Sequence, residues 1–309
     1  MSPVGGAMEV TFLEAANGLA LSKKHSPKNG FTAYPQVKNV NSYIEKIDIA
    51  PHGLQDFETH LRNYSAKGSC LLKGPLKRIL RDESRAGKTD RVAYSNLLVL
   101  DVDGLSLSST NQPLKYTQND VSRIAAEILN ELPVEFNNVS YIAQASASLG
   151  LKNPKISLHI FILLTYAVPA KAIKLWLQSI NFNSDLFKSQ IELSANGHSL
   201  KYPIDISVAD NSKLIFIAPP TFEDPSADPF LTPQDRIVRV NGNVPSIDLA
   251  GLMSDLSPES VNQLVNNKKN ELRKAKGFNA KKEKITLATV ANKTEEILQN
   301  PDRMSISMQ

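Results

Sequence analysis

The feature that most constrains this fold is a set of short apolar segments in which polar residues recur at alternate positions. The segments are 97–104, 156–162 and 203–208. Alternate side chains of a β-strand point to opposite faces, so each segment predicts a strand with one aliphatic face in the core. The polar residues of the other, open face are Asp101 and Asp103, Ser157 and His159, and Asp205 and Ser207. A face that gathers carboxylates, a histidine and a serine is typical of a metal and phosphate site.

Length and composition place the chain among ordinary globular proteins. Its 309 residues are 41% hydrophobic and 21% charged, enough for one large domain with or without an appendage. No apolar run approaches the ~20 residues of a membrane span, and residues 1–20 lack the pattern of a secretory signal, so we expect a cytoplasmic protein without a membrane partner. Cys70 is the single cysteine, which excludes an internal disulfide. Without cysteine pairs or clustered histidines, any metal must be held mainly by oxygen ligands.

Basic residues are concentrated in two parts of the chain. Residues 266–293 carry nine Lys and Arg against two Glu, although the net charge of the whole chain is only +4. A second group precedes the first acidic strand: Lys73, Lys77, Arg78, Arg81, Arg85, Lys88 and Arg91. Such clusters attract polyanions, but either one alone is more often a solvated helix face.

The remaining pattern predicts a compact domain over 1–255 and a basic helical tail, or the start of an accessory domain, over 256–309. Residues 1–40 read as turns with short extended pieces. The predicted helices are 40–62 (one or two, broken at 51–53), 75–81, 120–129 capped by Asp120, 170–180, and one starting at 257–259. The predicted strands are 97–103, 139–145, 156–165, 237–240, and a hairpin formed by 204–208 and 214–218.

Taken singly, these motifs have simpler explanations. Asp101 and Asp103 could merely face water at a strand edge, and a lone histidine such as His159 is more often structural. The sequence Gly87-Lys88-Thr89 suggests a phosphate-binding loop, but that motif needs a glycine where Asp82 stands. The chain therefore encodes no ATPase or helicase motor of that type.

Taken in chain order, the motifs resemble the archaeo-eukaryotic primase superfamily, which includes the primase-polymerases of phages and plasmids. The family pattern is an apolar run ending in D-x-D, then S-x-H in an apolar strand, then an aspartate after an apolar residue. Here these are Asp101 and Asp103, Ser157 and His159, and Asp205, and the match covers about 69–240.

The resemblance implies an α/β (α+β) catalytic core with an N-terminal α/β unit and an RRM-like sheet unit that carries the active site. Asp101, Asp103 and Asp205 would bind two Mg²⁺ or Mn²⁺ ions. Ser157 and His159 would contact the triphosphate of an incoming NTP or dNTP. The reaction would be synthesis of short oligonucleotides on a single-stranded DNA template, by two-metal nucleotidyl transfer.

Further binding residues are expected from position alone. Lys155 beside the S-x-H strand, and Lys213 after the third aspartate, could hold phosphates. The group of Lys77, Arg81, Arg85 and Lys88 is where template contacts are plausible, although it matches no family motif. Since no motor is encoded, we expect the chain to work with a separate replicative helicase or single-strand-binding protein, or to be a fragment of a longer primase-helicase.

Two other functions stay open at this point. A haloacid-dehalogenase-like phosphatase also begins with an apolar run and D-x-D, with Asp101 as nucleophile and Asp103 as acid. That family needs a later acidic pair, and no Asp-Asp occurs here. A non-catalytic replication initiator with an RRM-like sheet would explain the basic tail, but it would expect exposed aromatic residues on the sheet.

Overall fold

The structure is a computed structural model, which describes residues 6–49, 52–107, 113–151 and 155–278. The protein is of mixed α/β class, as expected. Its strands are β1 (Ala7–Ala15), β2 (Lys24–Ser26), β3 (Gly30–Phe31), β4 (Val40–Asp48), β5 (Cys70–Leu72), β6 (Tyr94–Ser106), β7 (Tyr141–Ala145), β8 (Lys155–Pro169), β9 (Glu192–Leu193), β10 (Leu200–Lys201), β11 (Leu214–Phe216), β12 (Thr221–Phe222) and β13 (Ile237–Val240). Its α-helices are α1 (Gly53–Ala66), α2 (Gln118–Leu129), α3 (Ala170–Asn183), α4 (Asp185–Ser189), α5 (Leu249–Leu252) and α6 (Pro258–Ala275).

Two compact units are present. The first consists of Met1–Ile191 and Tyr202–Val261, and the second of Glu192–Lys201 and Asn262–Gln309. The second unit contains the β9–β10 hairpin and most of α6, so the basic tail is helical as far as it is described. The part of the tail beyond residue 278 lies outside the described residues. No described helix combines the length and apolar character needed to cross a membrane.

An N-terminal sheet, with strand order β11-β5-β1-β4, corrects the prediction for the first 62 residues. β1 is a nine-residue strand rather than a series of turns, and it pairs with β4 at all nine positions. β4 is therefore a strand where a helix was predicted, and only α1, starting at Gly53, is helical. Pairing along the whole of β1 decided the conformation of β4, because cross-strand neighbours outweigh local propensity.

The helix predicted over 75–81 is absent. The backbone N–H of Leu80 donates to Ser42 Oγ at 2.8 Å, and its carbonyl accepts from the Ser42 N–H at 3.1 Å. A bridge between Leu76 and Thr89 closes the same segment into a loop. The polar backbone groups of 74–91 are thus satisfied by other parts of the chain instead of by a helix.

A second four-stranded sheet, with order β13-β7-β8-β6, is antiparallel throughout and contains the predicted acidic and S-x-H strands. Most of its strand residues are fully buried, and Phe161 of β8 packs edge-on against Phe57 of α1. α2 and α3 occur where predicted. The N-cap of α2 is Thr117, with Asp120 completing a capping box at the third helical position, so Asp120 caps the helix in a different role than expected.

The predicted hairpin over 204–218 is wrong. Ile204 makes only an isolated bridge to Val102, and 206–209 form a 3₁₀ helix with Asp205 as its N-cap. β11 then joins the N-terminal sheet beside β5 rather than pairing with 204–208. Asp205 bonds to its own chain two residues on, which is a common turn of aspartate that competes with a strand.

Candidate active site

The register of β6 and β8 brings four predicted site residues together. Asp101 lies opposite His159, and Asp103 lies opposite Ser157. Ser157 Oγ donates to Asp103 Oδ1 at 3.2 Å, and His159 Nε2 is 3.5 Å from Asp101 Oδ1. These contacts follow from alternation in two paired strands, because residues that face each other share one side of the sheet.

The third aspartate lies on the other side of β6. The Asp205 N–H donates to the Asp101 carbonyl at 2.8 Å, and the Asp103 N–H donates to the Pro203 carbonyl at 3.2 Å. The segment from Pro203 to Asp205 therefore continues the sheet by three residues. As a result, three carboxylates from distant parts of the sequence lie on neighbouring backbone segments.

Asn181 of α3 fixes this segment, and sequence reasoning missed it. Its side chain is fully buried, accepts from the Ile204 N–H at 3.1 Å and donates to the Ile204 carbonyl at 3.0 Å. It also donates to the Leu177 carbonyl at 2.7 Å. An asparagine late in a helix with otherwise apolar buried neighbours was the only signal for this clamp, which holds the residue just before Asp205.

Gln144 of β7 orients His159 and was also missed. The Gln144 amide donates to the Ile217 carbonyl at 2.6 Å, and its oxygen lies 3.2 Å from His159 Nδ1. Because that oxygen can only accept, Nδ1 carries the proton and Nε2 faces Asp101. Burial is the main cause of a lowered pKa of His159, with Lys213 adding to it, so the imidazole is neutral at pH 7.

Asp101 is desolvated and crowded by other acids. Burial is the largest cause of its raised pKa, and the carboxylates of Asp205 and Asp103 raise it further. The charges of His159 and Lys213 act in the opposite direction. Burial therefore disfavours the charged form of both Asp101 and His159, which lie side by side.

Asp205 is already paired with a cation. Its Oδ2 accepts from Lys213 Nζ at 3.0 Å and from Ser207 Oγ at 2.6 Å, and its Oδ1 accepts from the Ser207 N–H at 2.8 Å. Burial works to raise the pKa of Asp205, but these hydrogen bonds outweigh it and lower the pKa. Lys213 Nζ also donates to Ser207 Oγ at 2.6 Å. Lys213, which was predicted as a phosphate contact, is therefore in direct contact with Asp205.

The other predicted binding residues differ in how exposed they are. Lys155 is exposed on β8 opposite Ser106, two register steps from Asp103. Lys77 and Arg81 are exposed, and Lys88 and Arg85 are half-buried.

The loop 74–91 reaches the neighbourhood of Lys213. Arg85 donates to the Ser212 carbonyl at 3.0 Å, next to Lys213, and the Gly74 N–H donates to the Asn211 carbonyl at 2.9 Å. The loop is therefore anchored to the turn that precedes Lys213. Arg81 donates to the Ser42 carbonyl at 2.9 Å, so part of its hydrogen-bonding capacity is structural.

Two members of the second basic group are not available for DNA. Lys73 is buried and donates to Ser95 Oγ at 2.9 Å, and burial lowers its pKa to about 7. Arg78 pairs with Glu83 through both guanidinium nitrogens. A count of charges in the sequence could not single out these two residues, because it contains no information on burial or on ion pairing.

Tyr34 is a further residue near the carboxylates that the sequence did not indicate. Burial is the largest cause of its raised pKa, and the charges of Asp101 and Asp103 add to it. Its ring stacks on Phe216 with centroids 3.6 Å apart. The phenol therefore stays neutral at pH 7 and contributes an aromatic face beside the acids.

The side chains that could hold the expected divalent ions are three carboxylates. Three carboxylates, of which Asp103 is exposed and Asp101 is electrostatically strained by its neighbours, have the oxygen chemistry that Mg²⁺ and Mn²⁺ prefer. Among the described residues, no three Asp, Glu, His or Cys side chains are already placed to surround one ion. Asp205 is turned to Lys213, which gives it a positive partner of its own. The residue types fit such an ion. The three carboxylates do not yet surround one position, because Asp205 is bonded to Lys213.

Comparisons with known proteins add no family. No protein-family model, no curated protein and no solved structure matches the chain. The functional argument therefore rests on the arrangement of residues described above.

Proposed function

We propose that this chain is a metal-dependent nucleotidyltransferase of the primase-polymerase type, which synthesises short oligonucleotides on single-stranded DNA. The observation that carries the proposal is the meeting of Asp101, Asp103 and Asp205, which come from segments about 100 residues apart, on adjacent backbone segments. The S-x-H strand is paired to the first of these segments, and the motifs follow the chain order of the archaeo-eukaryotic primase resemblance.

The chain's acids are suited to hold two divalent ions. Mg²⁺ or Mn²⁺, when bound, would activate the attacking 3′-hydroxyl and neutralise charge on the departing pyrophosphate. Asp103 is exposed and accessible to a cation, whereas Asp101 and Asp205 are partly covered. Asp205 becomes a ligand when its carboxylate is released by Lys213.

Lys213 and Lys155 are the proposed phosphate contacts. An ammonium group 3.0 Å from Asp205 is already close to where a triphosphate and its ions would lie. Once released from Asp205, the ammonium group of Lys213 is free to pair with phosphate oxygens and to hold the triphosphate in line for attack. Lys155 is exposed beside Gly104, so its side chain can reach the same side of the sheet.

Ser157 and His159 have a supporting role in this proposal. Both are buried, 4% and 7% exposed, so the open face predicted for them is wrong, and each contacts the aspartate opposite. Ser157 fixes the orientation of Asp103 through its hydrogen bond, as partners of ligands do in metal sites, and His159 lies beside Asp101. Their direct contact with a triphosphate stays a prediction from the resemblance.

The two alternative functions fit less well. A phosphatase needs Asp101 as an ionised nucleophile, but burial raises the pKa of Asp101 and its approach is partly covered. A non-catalytic RRM-like binder stacks bases on aromatic residues of its sheet. On the matching face of β6 and β8 this chain carries two acids, Asp101 and Asp103, which repel phosphates, and the buried polar residues Ser157 and His159.

Primer-free synthesis is the test. Single-stranded DNA, the four NTPs or dNTPs, and Mg²⁺ or Mn²⁺ are supplied without a primer, and products are resolved on a denaturing gel. We expect short products from the wild type and a loss of at least a hundredfold in Asp101→Asn and Asp103→Asn. Asp56→Asn, a change at an exposed acid of α1, is the matched control and should retain full synthesis. Unchanged synthesis by both site variants would remove the proposed site.

A further inference from the structure

A partly exposed row of aromatic residues begins beside the carboxylates. Tyr34 and Phe216 stack with centroids 3.6 Å apart and ring planes 10° from parallel. Both rings are half-buried, and Phe216 follows Lys213 by three residues on β11. Ile217, the residue after Phe216, accepts a hydrogen bond from Gln144, whose side-chain oxygen lies 3.2 Å from His159 Nδ1, so this pair lies close to the acidic site.

The row continues away from the acids through a lysine. Lys23 Nζ lies 4.8 Å from the centroid of the Tyr34 ring and 5.9 Å from that of Phe31. Phe31 meets His25 edge-on at 5.0 Å, and His25 lies 5.3 Å from Phe222. His25, Phe31 and Phe222 belong to the small sheet with order β12-β2-β3. We call these six residues the aromatic strip: Lys23, His25, Phe31, Tyr34, Phe216 and Phe222.

Most residues of the aromatic strip are not part of the hydrophobic core. Phe31, Tyr34 and Phe222 belong to neither of the two hydrophobic clusters of the described residues, and only Phe216 packs against one of them. All six residues are half-buried, so part of each remains accessible. Large aromatic side chains that keep accessible surface outside a core commonly mark a binding surface.

The chemistry of the aromatic strip matches one ligand class. Proteins that bind unpaired nucleic acid combine aromatic faces, on which bases stack, with cations that follow the backbone. Tyr34 offers the ring and Lys23 the cation next to it. Asp101 and Asp103 repel phosphates, so a ring beside them is suited to the uncharged base and the cation beyond it to the phosphate. At the far end of the strip, Glu223 is paired with Lys24 at 3.3 Å.

We propose that the aromatic strip binds unpaired nucleobases by stacking, with Tyr34 as the position closest to the carboxylate site. This deepens the proposed nucleotidyl transfer and rests on it for its purpose, since a base held beside the acids is either the incoming nucleotide or the adjoining single strand. Both sources present the same face to Tyr34. They are separated by experiment.

Binding without catalysis tests the stacking. The full chain in EDTA, without nucleotides, is titrated against fluorescein-labelled dT12 and against a 12-mer of abasic sites with the same charge, by fluorescence anisotropy. Tyr34→Ala should weaken dT12 binding about five- to a hundredfold, the effect of losing one stacked base, while its abasic-strand affinity is unchanged. Tyr34→Phe keeps the ring and should bind like the wild type. Tyr166→Ala, at an exposed tyrosine of β8, is the matched control.

Two arms identify the source of the base. Loss of dT12 affinity in Tyr34→Ala assigns the strip to the single strand. Loss of dNTP affinity, measured by calorimetry with Mg²⁺ present, assigns it to the incoming nucleotide. Either loss supports the proposal. Wild-type affinity for both ligands in a folded Tyr34→Ala variant overturns it.

A second variant covers the case in which Tyr34→Ala does not fold. Tyr34→Trp places an indole in the strip, and the single natural tryptophan, Trp176, is 3% exposed and gives a constant background. Quenching of the new fluorescence by dT12 or dNTP, but not by the abasic strand, supports stacking, and no quenching by either ligand overturns it. Base-dependent binding without primer-free synthesis would reject the enzyme and keep the strip. Primer-free synthesis together with unaffected binding by Tyr34→Ala would reject base stacking at the strip and keep the enzyme.

Discussion

Asp101 and Asp205 lie on adjacent backbone segments of one site, yet their pKa values are shifted in opposite directions. Asp101 sits within paired strands, and burial with the charges of other acids raises its pKa. Asp205 caps a 3₁₀ turn at the edge of the sheet. Its burial also works to raise the pKa, but hydrogen bonds from Ser207 and Lys213 lower it. Environment rather than residue type therefore shifts the pKa values of the two aspartates in opposite directions.

The comparison separates a strand half of the site from a loop half. The strand half, Asp101 and Asp103 with the side chains opposite them, is held by continuous backbone pairing and cannot move without breaking the sheet. The loop half, Asp205 with Lys213, is held by one isolated bridge, the Asn181 clamp on Ile204, a cap and an ion pair. A site built this way keeps one fixed group of ligands and one that can exchange partners.

The largest expected effect comes from removing the clamp on the loop half. Asn181→Ala leaves the N–H and carbonyl of Ile204 without their buried partners. Each such group costs about 1–3 kcal/mol, so we expect the free energy of unfolding to fall by roughly 2–4 kcal/mol. Urea denaturation followed by circular dichroism measures this change.

Asn183→Ala is the matched control for that clamp. It lies two residues further along the same helix, is exposed, and bonds only to Ser179 Oγ at 3.3 Å. Its effect should stay within about 0.5 kcal/mol. Equal losses of unfolding free energy in both variants would show that the end of the helix, and not the hydrogen bonds to Ile204, provides the stability. The loop half would then be held in place by other contacts.

The second prediction is that the two aspartates affect the free energy of unfolding in opposite directions. A raised pKa means that protonated Asp101 favours the folded state, and this contribution is lost as pH rises from the ordinary value of 3.8 through the raised pKa. A lowered pKa means that ionised Asp205 favours folding above 3.8, and this is lost as pH falls. At pH 7, Asp101→Asn should therefore stabilise the protein and Asp205→Asn destabilise it, each on the order of 1 kcal/mol.

Unfolding by urea from pH 4.5 to 8, in EDTA, checks both signs. The advantage of Asp101→Asn should grow with pH above 3.8, while the deficit of Asp205→Asn should be nearly constant over this range. Stability curves that shift in the same direction for both variants would contradict the division into two halves.

The strand half was largely predictable from the sequence, for a physical reason. Asp101, Asp103, Ser157 and His159 interrupt apolar runs at a spacing of two, and strand alternation alone puts each pair on one face. Pairing between the strands then needs only matching lengths. Their partner Gln144 was not predictable, because a single amide in an apolar strand gives no indication of which side chain it will meet.

The loop half was predicted at the right residues with the wrong structure. Asp205 is near Asp101 as expected, but it lies in an aspartate-capped turn, since its side chain bonds to the N–H of Ser207 in place of a strand partner. β1 and β4 were missed for a related reason. Their pairing joins residues about 30 positions apart, and local periodicity does not report contacts at that distance.

The smallest expected effect concerns the ion pair that distinguishes the loop half. If Lys213 competes with a metal for Asp205, Lys213→Met should bind Mn²⁺ up to about fivefold more tightly, the scale of an exposed ion pair of about 0.2–1 kcal/mol. Electron paramagnetic resonance titration of the protein with Mn²⁺ alone, without nucleotide, measures this affinity. Primer-free synthesis by the same variant should fall, because the ammonium also serves the phosphates.

The opposite responses of binding and synthesis are what make this test informative. Lys171→Met removes an exposed lysine from α3 at similar cost in net charge and should change neither quantity. A general gain of Mn²⁺ affinity in both variants would reflect net charge alone. Weaker Mn²⁺ binding in Lys213→Met would mean that the ammonium holds Asp205 in the position a metal needs. The loop half would then be as preformed as the strand half. The only remaining difference between the two halves would be the direction of their pKa shifts.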